Sequence, residues 1–171
     1  MQSSKRSPWS LSLLLLTVTA LATGCASSRR ENYIQDKASS YVYRKPIAEV
    51  WPQVRAMLKE KDLPLREAPG AYEIATDWHM LGAPSSLGTT YVRYLVRGKQ
   101  PSPAMCAVEI LRQNRTQAGE GAMDVQTGQK GDVGTDATSM TRDREMEWEL
   151  LQRVDPEGAK ALIEEAKASI K

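Results

Sequence analysis

His79 and Cys106 are the side chains best suited to nucleophilic or metal chemistry, and each stands apart from any partner of its kind. His79 is the only histidine of 171 residues, and Cys106 is one of two cysteines. A nitrogen–sulfur metal site would have to combine these two with carboxylates, and no pair of them falls at ligand spacing. A serine hydrolase would need a G-x-S-x-G elbow, which is missing, and would draw on the same histidine. A thiol mechanism would need a base beside Cys106. Its surroundings, Ala104-Met105-Cys106-Ala107-Val108-Glu109-Ile110, alternate as a strand does and suit a small buried hydrophobe. Gly119-Glu120-Gly121 begins like a dinucleotide fingerprint, but Asp124 stands where the third glycine belongs, and no G-K-[ST] follows. Asp132, Gly134 and Asp136 outline a calcium loop without its second ligand or its required glycine. The expectation is a chain with no catalytic residue, no metal and no cofactor.

A second constellation is Arg142-Asp143-Arg144-Glu145-Met146-Glu147-Trp148-Glu149. Its bland reading is a solvated helix face held by ion pairs three and four apart, each worth about 0.3–0.5 kcal/mol. Its functional reading is a partner-facing helix, because Trp and Arg are enriched where binding energy concentrates. On that reading Trp148, Arg144 and Arg142 are the candidate contact residues. The bland reading is preferred, since Trp148 beside Leu151 has core packing to do.

Lys5 and Arg6, an apolar run from Leu11 to Ala22, and Leu21-Ala22-Thr23-Gly24-Cys25 together describe a secretory leader. The run is too short for a spanning helix, which needs about 20 apolar residues. The ending resembles the lipobox of bacterial lipoproteins, with Leu21 one step earlier than the usual leucine. The resemblance implies that Cys25 is acylated and becomes the first mature residue. Ala26 and Ser27 follow it, a pattern that implies sorting to the outer membrane, facing the periplasm. The expected organisation is a signal peptide at 1–24, the lipidated cysteine with a polar tether at 25–38, and a single domain at 39–171.

The chain has 23 basic and 21 acidic residues, and the leader holds two of the basic ones. The mature part is therefore balanced at 21 against 21. No basic footprint for nucleic acid remains. With Cys25 acylated, Cys106 has no partner for an internal disulfide, so the domain must hold together by packing.

Elements that could position these residues follow from periodicity. Tyr41-Val42-Tyr43 suggests a first strand. Val50, Val54, Met57 and Leu58 share one face of a helix that must start near Ala48, so that Pro52 falls in its first turn. Tyr72, Ile74, Thr76 and Trp78 alternate with Glu73, Ala75, Asp77 and His79, which predicts one strand with His79 on its polar face. A Gly/Pro/Ser loop spans 82–88. Strands over 89–97 and 104–113 follow, joined by a turn at 98–103. Residues 114–139, with five glycines, read as a mobile loop. Met146, Leu150 and Val154 mark a helix, and Asp155-Pro156 caps another that carries Ala159, Leu162, Ile163, Ala166 and Ile170. The order is β-α-β-β-β-loop-α-α: an α+β domain whose antiparallel sheet packs against helices.

Val50-Trp51 to Leu58, the turn after it, and Ala75-Thr76-Asp77-Trp78 resemble the helix-grip domain of BamC-type lipoproteins of the outer-membrane assembly complex. The likeness covers about residues 45 to 113. That family has a long segment after its cysteine and two grip domains, whereas this chain has a short one and room for one domain. The resemblance implies a sheet gripping a helix, no catalysis, and an accessory role in envelope assembly through a protein partner. The competing expectation is a carrier, in which the grip encloses a cavity for a lipid or small ligand.

Overall fold

The computed structural model describes residues 27–68, 70–85, 88–117 and 137–170. Four helices pack against an open, antiparallel sheet of six strands, an α+β architecture. The helices are α1 (27–39), α2 (Ile47–Glu60), α3 (Arg144–Val154) and α4 (Pro156–Ser169). The strands are β1 (Leu65–Glu67), β2 (Glu73–Thr76), β3 (His79–Ser85), β4 (Gly88–Ser102), β5 (Met105–Gln117) and β6 (Ala137–Arg142). In space they run β1-β2-β4-β5-β6, with β3 alongside the other half of β4.

Helix α2 carries the main apolar face. Ile47, Val50, Trp51, Val54, Met57 and Leu58 are all buried, each contributing about 1.5–3 kcal/mol. It lies across β4 and β5, α3 packs on β5, and α4 packs on α3. Ile74, Val96, Cys106, Val108 and Ile110 meet the helices from the sheet side. Gly98 is required by this approach, because a Cβ there would lie 2.8 Å from Ile47 Cδ1 and 2.9 Å from Tyr72 Cβ.

The helix starts at Ile47, with Pro46 before it and Pro52 inside it. Pro52 thus sits beyond the first turn and leaves the Ala48 carbonyl without its helical donor. Ala48 is exposed, so water can serve instead. At the far end, Asp62 N–H donates to Lys59 O (3.0 Å) and Leu63 N–H to Leu58 O (3.2 Å), with Asp62 at φ 54°. That is a Schellman ending with Leu63 packed into the core.

Six expectations need correction. Of the tether expected at 25–38, residues 27–38 are helical and dock on α4. The first strand is a single bridge, Tyr43 to Cys106. The strand expected through 72–79 is two strands, broken at Asp77-Trp78, where Asp77 N–H donates to Pro64 O. Residues 82–85 belong to β3, and β4 continues to Ser102, so the turn shrinks to 103–104. Finally, 114–117 and 137–139 are paired strand ends; of the expected loop, 118–136 lie outside the described residues.

Candidate functional site

Cys25, and with it the whole leader, lies outside the described residues. What is described is how the chain continues from it. Helix α1 docks by side chains: Arg30 Nε donates to Ile170 O (2.9 Å), the Tyr33 hydroxyl donates to Glu165, and Asp36 pairs with Arg144 at 2.7 Å. Among its residues only Ala38 is buried.

The run 142–149 is divided between elements. Arg142 ends β6, Asp143 caps α3 by accepting the Met146 N–H (3.0 Å), and the helix begins at Arg144. Glu147 is the side chain that organises it, and it is 2 % exposed. Its Oε1 accepts the Ile110 N–H (2.9 Å), and Arg142 Nε donates to both carboxylate oxygens at 2.8 and 2.9 Å. Burial pushes its pKa up to about 6 against these stabilising contacts. One carboxylate thereby joins α3, β5 and β6.

Of the three candidate contact residues, the structure brings Arg142 onto Glu147 and Arg144 onto Asp36, while Trp148 is half-buried against the core cluster. A solvated face does not describe Glu147. The available signal was spacing: Glu147, Leu151 and Val154 recur at i, i+4 and i+7 on the apolar side.

Neither His79 nor Cys106 joins a group of ligating side chains among the described residues. The break at Asp77-Trp78 inverts the expected alternation. His79 registers against Val92, on the helix-facing side, and stacks on Tyr94 (6.1 Å between ring centres). Trp78 instead lies under the Arg93 guanidinium at 4.7 Å. The His79 Nδ1 is buried with at most a poorly aligned contact to the Asp77 backbone, and burial pushes its pKa down. Cys106 is fully buried, its thiol pKa raised by that burial. Among the described residues no group of three His, Cys, Asp or Glu could hold a metal.

Comparison with models of protein families and with curated proteins finds no match for this chain.

A cleft of about 420 Å³ lies between α2 and the β1–β2 connection, lined by Trp51, Arg55, Glu67, Gly70 and Tyr72. Trp51 and Tyr72 meet edge to face with ring centres 5.5 Å apart, and Arg55 Nε donates to both Glu67 oxygens at 2.9 Å. The cleft's two charged side chains are thus paired with each other, and most of its lining is exposed. Between α2 and the sheet, Ile47, Val50, Val54 and Met57 are fully buried and fill the interface.

Proposed function

We propose that this chain is a non-catalytic lipoprotein, held to the periplasmic side of a Gram-negative outer membrane by acyl chains on Cys25. Its α+β domain offers a protein-binding surface for envelope assembly. The observation that carries this reading is the leader ending in Leu21-Ala22-Thr23-Gly24-Cys25, followed by a docked helix over 27–39. The described core cluster runs from Ala38 to Ala159, so processing at Cys25 takes nothing from it. Several acyl chains make attachment effectively permanent, since each buried methylene contributes about 0.8 kcal/mol. The filled interface between α2 and the sheet does not favour the carrier reading.

The test is Cys25→Ala, expressed in a Gram-negative host and followed by membrane fractionation and intact mass. The parent chain is expected in the outer-membrane fraction, starting at Cys25 with added acyl mass. The variant is expected unprocessed or released. A variant that stays lipidated and membrane-bound would overturn the proposal.

A further inference from the structure

Helix α1 holds the domain by its polar side. Besides the Arg30, Tyr33 and Asp36 contacts, Lys37 Nζ lies 3.9 Å from Glu165 with both side chains about half exposed, and of residues 27–39 only Ala38 is buried. In the Asp36–Arg144 pair the side chains are 66 % and 52 % exposed. Ile34, its one large aliphatic, is half-buried and lies outside the core cluster. Exposed ion pairs contribute little and weaken further with salt. A single helix takes most of its stability in water from packing. Undocking and melting of α1 are therefore one event, and the core loses only Ala38 by it.

We propose that α1 is a releasable strap. Docked, residues 27–39 span about 20 Å at 1.5 Å per residue. Released, residues 26–39 become an extended tether reaching about 45–50 Å. The two states give the domain a short and a long working distance from its anchor. That consequence rests on the lipid-anchor reading, whereas the release itself does not.

Hydrogen–deuterium exchange on the full mature chain in detergent tests it, with intact mass taken on the same sample. Amides from Arg30 to Lys37 are expected to exchange more than about tenfold faster than those of α3 at low salt. The difference should widen in 0.5 M NaCl and in Glu165→Lys, with α2 and α3 unchanged. Glu157→Lys, at the far end of α4, should leave α1 as it is. Exchange in α1 within about tenfold of α3, or unresponsive to both salt and Glu165→Lys, would overturn the strap. A mass without acyl chains would instead overturn the anchor reading and leave the α1 rates standing.

Discussion

At the scale of single residues, Glu147 sets how stability responds to pH. Its folded pKa is about 6 against an ordinary 4.5, so between those values the folded chain binds more protons than the unfolded one. Its contribution is then fully present below pH 4.5 and declines as pH rises to 6, by about 2 kcal/mol. Asp155 acts oppositely. The Tyr41 hydroxyl bond, followed by the Gly158 N–H, holds its pKa below the usual range. Its contribution is present above the unfolded value and disappears as pH falls through the folded one. His79, whose pKa burial lowers, acts against Glu147 over the same window, so the Glu147 part is read as a difference: in urea unfolding from pH 4.5 to 7 the parent should lose stability relative to Glu147→Gln as pH rises. Glu147→Ala should cost about 3 kcal/mol at pH 7, because the Ile110 N–H and Arg142 both lose their acceptor.

At the scale of elements, α2 shows what its sequence could and could not reveal. Val50, Val54, Met57 and Leu58 announced the buried face, because apolar spacing and packing say the same thing there. Asp155-Pro156 announced α4 for the same local reason: the Asp155 carboxylate accepts the Gly158 N–H at 3.0 Å. Helix α1 was not legible, since Ser27 to Lys37 has no apolar stripe and its partners Glu165 and Ile170 lie more than 130 positions away. Residues 114–117 and 138–142 were equally silent. Those strand ends are half-buried or exposed, so nothing imposes an apolar alternation on them. The inverted faces of Trp78 and His79 came from a chain break that no side-chain period encodes. A local strain remains at the end of α2, where Asp62 holds a left-handed φ that favours glycine. Asp62→Gly should raise stability by about 0.5–1 kcal/mol in thermal unfolding, with the Leu63 N–H bond retained.

At the scale of the whole molecule, one core cluster links the helices to the sheet, from Ala38 through Trp51 and Ile110 to Ala159. A single cluster leaves no interface along which the domain could come apart in halves. Urea unfolding should therefore be one transition, with tryptophan fluorescence and far-ultraviolet dichroism sharing a midpoint. Two separated midpoints would mean that α3 and α4 leave the sheet independently.

The bridge between Tyr43 and Cys106 gives this cooperativity a chemical readout. Cys106 is sealed under the segment joining α1 to α2, its backbone paired both ways with Tyr43. With Cys25 acylated, it is the sole thiol of the mature chain. Releasing α1 need not uncover it, whereas parting the sheet from the helices must. A maleimide would then record each global opening of the purified chain as a permanent mark, a tally of openings kept in the mass of the protein itself.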